Sequence, residues 1–374
     1  MHKSDVDRDS SAIEFVDHHI GDSWYGIEAL YSVNSDGHTH IFNIDKPFFS
    51  LQATGARGMS YLDNDRIDSL WDRGEIVADF RHRTRSHEIY AGWSKGLTAG
   101  WTHRYTAGVA YDENRFSPVD GSTAPMSIVP DDRKLVYPFV GVEFVQDRFE
   151  QAENFDQIKR VEDRYLGTTL GARLGYASPA FGSDRDAWLI SAKAKTGFGS
   201  SLGSSLLLAG DLGARWERGG LHNFSFSTSA KYYKRQSERR LFYASLAGTY
   251  GHNLDVDNQL YLGGDNGLRG YPLRYQGGDK SALLTVEQRF FTDWYPFRLF
   301  RVGAAVFFDA GRTWGSTPVS SGNFGIQKDV GFGLRLGNSR AGFYDMIHVD
   351  LAFPLDSDGS IDKVQFVIET KRGF

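Results

Sequence analysis

The segment Leu262–Pro272, which reads LGGDNGLRGYP, separates two runs of alternating apolar and polar residues. A connection of this length is uncommon in a compact domain unless it is functional or disordered. Its glycines permit positive backbone dihedrals and close approach of the chain. Arg269 is the one cation in the segment, and its planar guanidinium suits a carboxylate partner. We therefore expect the rest of the chain to form a wall around this loop.

Two carboxylates follow the loop at positions that alternation assigns to strands. Glu287 lies in the run TVEQRFF, residues 285–291, and Asp309 lies in FFDAG, residues 307–311. Charge-assisted bidentate pairing with Arg269 would be strong. Two roles stay open for this pairing: a structural clamp that holds the loop inside a wide lumen, or a latch that matters for substrate passage.

Alternation with a period of two extends from Tyr25 to the C-terminus. Val302, Val306 and Phe308 share one face of their run, and Arg301 lies on the other. The pattern predicts about sixteen strands and no helix. The segment 63–74 is charged and is predicted to be a loop.

The alternating pattern fits either a soluble all-β protein or a membrane barrel, since both bury one face of each strand. Predicted strands of about 9–11 residues match a tilted membrane span, and aromatic residues recur at the strand ends. Closure would also remove exposed strand edges. The sequence thus favours an all-β fold: a closed antiparallel transmembrane β-barrel of about sixteen strands, with the glycine-rich loop folded into its lumen. The soluble all-β array remains the alternative.

Two segments divide the chain. Residues 1–22 are polar and are predicted to be a leader or the end of a missing upstream domain, and residues 23–374 are predicted to form the barrel. No signal peptide opens the chain, so an exported protein would be represented here by a mature or truncated form.

Composition excludes several classes of function. The 374 residues include no Cys, so disulfides and thiol chemistry are absent. The net charge of −5 without a basic block argues against nucleic-acid binding. The pattern GSSLG at 199–203 resembles a nucleophile motif, but it lies between two predicted strands and is interpreted as a tight turn. No catalytic site, cofactor or metal site is predicted.

Three motifs resemble those of the outer-membrane assembly and secretion barrels, the superfamily that includes BamA, TamA and FhaC and the bacterial surface antigen barrels. Residues 264–271 resemble the family's arginine-glycine-aromatic loop, residues 307–311 its Phe-x-Asp-x-Gly strand, and Phe374 its terminal aromatic residue. Glu287 lies where the family has a strand glutamate. Two features depart from the family pattern: Arg372 replaces the usual aromatic residue near the end, and no POTRA domain fits into residues 1–22.

The resemblance implies a bacterial outer-membrane protein that inserts outer-membrane proteins or translocates polypeptides without catalysis. Its implied partners are outer-membrane lipid and an unfolded polypeptide substrate or a periplasmic protein, the latter through upstream POTRA domains. The implied latch consists of Arg269, Gly270, Tyr271, Glu287, Asp309 and Gly311.

The same resemblance implies a weakly paired seam between the first strand, 25–33, and the last, 364–374. An incoming strand could add to an edge exposed there. The seam and terminal residues are Ile27, Ala29, Phe366, Ile368 and Phe374. Two other functions remain open: a passive pore, and a membrane anchor for a missing fused domain.

Overall fold

The computed structural model describes residues 2–4, 7–119, 128–319, 325–338, 346–356, 359 and 361–371. Phe374 and Arg372 lie outside them. The described residues are mainly β-strands with a few short 3-10 turns, and no helix among them is long and apolar enough to cross a membrane. The strands are β1 His2–Ser4, β2 Asp9–Asp17, β3 Gly26–Asn34, β4 Gly37–Lys46, β5 Gly55–Asp72, β6 Glu75–Thr98, β7 Trp101–Pro118, β8 Arg133–Gln146, β9 Phe149–Glu153, β10 Val161–Tyr165, β11 Thr169–Ala177, β12 Ala187–Gly199, β13 Ser204–Glu217, β14 Gly220–Ser237, β15 Arg240–His252, β16 Leu260–Leu262, β17 Gln276–Gly278, β18 Lys280–Phe291, β19 Phe300–Trp314, β20 Gln327–Asn338, β21 Met346–Pro354 and β22 Gln365–Lys371.

One antiparallel sheet dominates the described part of the chain and contains eighteen strands. Its strands pair in chain order, except that β8 pairs with β11 and β15 pairs with β18. The strands left out, β9–β10 and β16–β17, form two separate hairpins. The sheet therefore has more strands than the sixteen expected, because β1 and β2 join it at the N-terminal side.

The N-terminal segment is the main departure from the expected fold. β2 pairs antiparallel with β3, from Ser10 opposite Asn34 to Asp17 opposite Ile27. The expectation that the strands begin only near Tyr25 was therefore wrong. The alternation in β2 rests on Ile13 and Phe15 alone. So short a pattern among charged residues is not enough to predict a strand from the sequence.

The ends of the sheet differ accordingly from the expected seam. β3 is not the first strand, because β2 covers its outer edge. Among the described residues β22 pairs only with β21, and no ladder joins it to β2 or β3. The hydrogen-bonded series thus runs from β1 to β22.

A second correction concerns residues 63–74, which were expected to form a loop. β5 continues to Asp72 and pairs with β6, with one register shift near Leu70. Arg83 on β6 donates two hydrogen bonds to Asp63 on β5, at 3.0 and 2.7 Å. Opposite charges on adjacent strands stabilise the pairing, so a highly charged segment forms a strand here.

The two faces of the sheet differ in chemistry. On β19, Val306 is 49% exposed whereas its neighbour Ala305 is 1% exposed. We call the face that carries Val306 the outer face and the face that carries Ala305 the inner face. Large exposed apolar side chains such as Phe332 and Leu334 continue the outer face.

Two insertions pack on the inner face, and they come from opposite ends of the strands. The Arg269 loop, residues 253–279, connects β15 to β18 and includes β16 and β17. The Phe155 hairpin, residues 147–168, connects β8 to β11 and includes β9 and β10. β8 and β15 run in opposite directions through the antiparallel series, so the two insertions enter from opposite sides.

Candidate functional site

Arg269 lies at the centre of the candidate site. Its Nε and Nη2 atoms donate to the two carboxylate oxygens of Asp309, at 2.7 and 3.1 Å. Its Nη1 atom donates to Glu287 at 3.0 Å and to Asp350 at 3.4 Å. All four side chains are buried, and hydrogen bonds between charged groups are about twice as strong as neutral ones. The loop is thereby tied to β18, β19 and β21.

An aromatic ring supports the guanidinium from β19. The Cζ atom of Arg269 lies 3.4 Å from the centre of the Phe307 ring, which is a cation–π contact. Two glycines of β20 make room for this arrangement. A Cβ at Gly331 would lie 2.3 Å from the Phe307 ring, and a Cβ at Gly333 would lie 1.7 Å from Asp350.

Two further arginines extend the site along the inner face. Arg335 donates to Asp350 at 2.5 and 3.3 Å. Arg289 donates to Glu287 through Nε at 2.9 Å. We call the six side chains together the Arg269 cluster, and its members are Arg269, Arg289, Arg335, Glu287, Asp309 and Asp350.

A fourth carboxylate adjoins the cluster without a cation of its own. Asp329 on β20 is fully buried and is the Cα partner of Asp309. Its carboxyl group faces the side chain of Asp309 and the backbone N–H of Gly270. Because like charges directly opposite each other destabilise a strand pair, burial and the facing Asp309 oppose a negative charge on Asp329.

Gly270 and Tyr271 hold the tip of the loop beside the cluster. A Cβ at Gly270 would lie 2.6 Å from the Cβ of Asp329, so the loop backbone approaches β20 closely. The Tyr271 hydroxyl donates to the carbonyl of Lys328 at 3.0 Å. Tyr271 also packs in a buried group with other apolar residues of the loop, namely Leu262, Leu268 and Tyr275.

The remaining predicted latch residue, Gly311, lies on β19 against Leu283 and Leu262. Sequence analysis missed three members of the cluster as site residues. Each of them lies on the polar face of an alternating run, and this parity was the available signal. They are Arg289, Arg335 and Asp350.

A second set of ion pairs anchors the start of the Arg269 loop. Arg215 on β13 donates to Asp255 at 2.7 and 3.0 Å. Arg133 on β8 donates to Asp257 at 3.0 and 2.8 Å. The loop therefore bridges strands from distant parts of the sheet.

No strand ladder among the described residues brings the predicted seam residues together. Ile27 and Ala29 lie on β3, which pairs with β2 and β4. Phe366 and Ile368 lie on β22 and are 63% and 62% exposed. No group of three or more potential metal ligands occurs among the described residues.

The family of the chain follows from a sequence-family comparison. The model of the Omp85 superfamily domain matches residues 102–371, which include the whole Arg269 cluster. The chain belongs to the Omp85 superfamily. The resemblance seen in the sequence is thereby confirmed.

Two solved structures of Omp85 type share the fold. BamA from Haemophilus ducreyi lacking POTRA domains 1–3 is 14% identical, with a TM-score of 0.52, over 97% of this chain and 67% of that chain. CdiB from Escherichia coli is 15% identical, with a TM-score of 0.52, over 97% of this chain and 59% of that chain. No curated protein matches the sequence. The chain thus spans roughly three fifths to two thirds of these two structures.

Omp85 membership has two direct consequences. It indicates the bacterial outer membrane as the location of the chain. It also bears out the expectation that the chain is not an enzyme.

Proposed function

We propose that this chain closes into a transmembrane barrel and inserts outer-membrane proteins or translocates polypeptides across the outer membrane. Incoming chains add non-covalently to the strand edge at the end of the sheet. The observation that carries this proposal is the state of β22, which pairs on one side only among the described residues. An unpaired edge with exposed apolar residues is a template for strand addition.

The Arg269 cluster supports the proposal through its position. Asp350, which accepts from Arg269 and Arg335, is the Cα partner of Val367 on β22. The cluster therefore fixes the strand beside the open edge. In this proposal Arg269, Gly270, Tyr271, Glu287, Asp309 and Gly311 act as a latch that keeps that part of the wall in register.

The part of β2 that β1 does not cover, after Ser11, supplies the other border of the proposed entry site. It covers β3, and its apolar residues Ile13 and Phe15 are exposed like those of β22. The entry site thus lies between β22 and β2 rather than between β22 and β3. Outer-membrane lipid surrounds the outer face, and the substrate is an unfolded polypeptide.

A cross-linking experiment tests this assignment, because the chain contains no native cysteine. Phe15→Cys and Ile368→Cys, joined by a bis-maleimide, would tie β2 to β22. The matched control joins Ala29→Cys to Phe42→Cys, which are Cα partners inside the sheet.

We expect the first cross-link to abolish barrel insertion or secretion in reconstituted vesicles, and the control cross-link to leave it unchanged. Ion conductance should be unaffected by either. If the protein tied across β2 and β22 inserts or secretes as well as the untied protein, the edge has no role, and a passive pore becomes the better explanation.

A further inference from the structure

The Phe155 hairpin reaches across the inner face to strands far from its own position in the sheet. Its Phe155 and Ile158 side chains are buried with residues of four distant strands. The partners are Tyr233 on β14, Leu241 and Tyr243 on β15, Phe291 on β18 and Met346 on β21. A connection between β8 and β11 therefore spans one end of the structure.

The tip of this hairpin is built as a rigid element. The carboxylate of Glu162 accepts hydrogen bonds from the backbone N–H groups of Phe155, Asp156 and Gln157. Arg164 places its guanidinium 3.6 Å from the centre of the Phe155 ring. A preorganised tip of this kind docks without a large cost in conformational entropy.

The rim of the same end holds the hairpin by polar contacts. Arg235 on β14 donates to the carbonyl groups of Glu153 and Asn154, at 2.6 and 3.0 Å. Lys159 forms an ion pair with Asp293 at 3.1 Å, in the connection that follows β18. The hairpin is thus fastened at its tip and along its side.

One arginine links the hairpin to the Arg269 cluster. Arg289 donates to the carbonyl of Phe155 and to the carboxylate of Asp156, both at 3.1 Å. The same guanidinium donates to Glu287, which also accepts from Arg269. The two insertions, which enter from opposite ends, therefore meet at the Glu287–Arg289 pair on β18.

We propose that the Phe155 hairpin is a gate that closes the end of the barrel opposite the Arg269 loop, and that Arg289 couples its release to that loop. The inference rests on the proposed transmembrane barrel. When Arg269 leaves Glu287, both oxygens of that carboxylate become available to Arg289. Arg289 then pairs with Glu287 alone, and the hairpin loses its contacts at Phe155 and Asp156.

Conductance tests the gate. The 374-residue chain in planar bilayers should conduct more when Phe155→Ala and Ile158→Ala are combined, because the buried contacts of the tip are lost. Val161→Ala is the matched control: it lies on the same hairpin but is 64% exposed, so conductance should not change. Unchanged conductance in the double variant would overturn the gate.

A locked variant keeps the test valid if the double variant folds poorly. The rings of Phe155 and Tyr233 lie 5.7 Å apart, so Phe155→Cys and Tyr233→Cys can be joined by a short reducible cross-linker. In an Arg269→Ala background we expect raised conductance. The cross-link should lower this conductance, and cleavage of the cross-link by a reductant should raise it again. A cross-link without effect would contradict the gate.

Proteolysis tests the coupling. Chymotrypsin cleavage after Phe155, which is buried, should become about 5-fold faster or more in Arg269→Ala, as for an ordinary allosteric coupling. Cleavage after Phe297, which is exposed on another connection, serves as the internal reference. Equal rates at Phe155 in both proteins would overturn the coupling. Insertion activity is measured separately, so a chain that is gated but does not insert would refute only the proposed function.

Discussion

Arg269 shares one positive charge among carboxylates from three strands, and two more arginines compensate the excess negative charge. Removing one partner from such a buried set leaves the others uncompensated, which costs about 3–5 kcal/mol. The energetic effect of each residue therefore depends on which charges remain after it is removed.

Arg269→Ala should leave the sheet intact but release the loop, because Asp309, Glu287 and Asp350 lose their common donor. We expect faster protease cleavage near Gly264 with unchanged circular dichroism. Arg269→Lys should restore only part of the protection, since an ammonium group cannot pair with Asp309 in the bidentate way. Full protection in the lysine variant would show that charge alone holds the loop.

Asp329→Asn and Asp309→Asn should have opposite effects on the stability of the Arg269 loop. The first removes a buried carboxyl group that lies directly opposite Asp309, and the second removes the main acceptor of Arg269. Cleavage near Gly264 should become slower in the first variant and faster in the second. Faster cleavage in both would mean that Asp329 has a favourable role.

The sequence identified Arg269, Glu287 and Asp309 through motif order and strand parity. It could not identify Asp350 or Arg335 as their partners. Parity tells which face a side chain occupies, but contact depends on the register between β20 and β21, and register is a property of paired strands.

At the level of the strand, periodicity predicted most elements and failed at two. β2 is too short and too charged for its alternation to be recognised. The charged residues of β5 are typical of a loop, and the sequence does not reveal that they pair with charged residues on β6. Tertiary pairing decides both segments.

Val306→Arg tests the assignment of the outer face. Val306 lies near the middle of β19, where an arginine facing lipid at the bilayer midplane costs about 2–4 kcal/mol. Ser229→Arg, on the inner face of β14, should reduce the free energy of unfolding by less. Both losses are measured by urea unfolding of the protein from lipid vesicles. Ala305 is not a suitable comparison, since it is 1% exposed and an arginine there would overpack the interior. Equal costs at Val306 and Ser229 would favour a soluble all-β protein.

Acid should release the start of the Arg269 loop. Burial opposes the charged form of Asp255, but the hydrogen bonds from Arg215 and the charge of Arg133 outweigh it, so its pKa is lowered. Charged Asp255 gives its full stabilisation above the ordinary aspartate pKa of about 3.9. This stabilisation is lost as the pH falls through the lowered pKa of Asp255 in the folded protein.

Protection of the amide hydrogens of residues 253–259, measured relative to the intrinsic exchange rate at each pH, should therefore fall below about pH 4. In Asp255→Asn this protection should already be low at neutral pH and should show no such acid step. The same acid step in both proteins would assign it to another group.

At the level of the whole molecule, a period of two that persists over most of the chain made the all-β class predictable. The number of strands and the course of the N-terminal residues were not predictable in the same way, because they depend on which strand covers the edge of β3. The local alternation of the sequence predicts the fold class, whereas pairing between distant segments determines which strands lie at the edges of the sheet.

The purified chain should be almost wholly β by circular dichroism in detergent, and it should migrate faster on gels before heating than after. Both follow from a stable sheet that resists dodecyl sulfate. A soluble monomer with substantial helix would contradict the barrel.

The unequal height of the wall bears on the surrounding lipid. β5, β6 and β7 have 18, 24 and 18 residues, whereas β21 and β22 have 9 and 7. Each strand residue adds about 3.3 Å, so the described part of the wall is lowest at β21 and β22, and in the proposed barrel we expect the hydrophobic belt to be lowest there. A bilayer compensates for such a mismatch by thinning locally, at a fraction of a kcal/mol per Å. Lipids of short acyl chains should therefore gather there, and the membrane should be easiest to breach at the side where strands are proposed to enter.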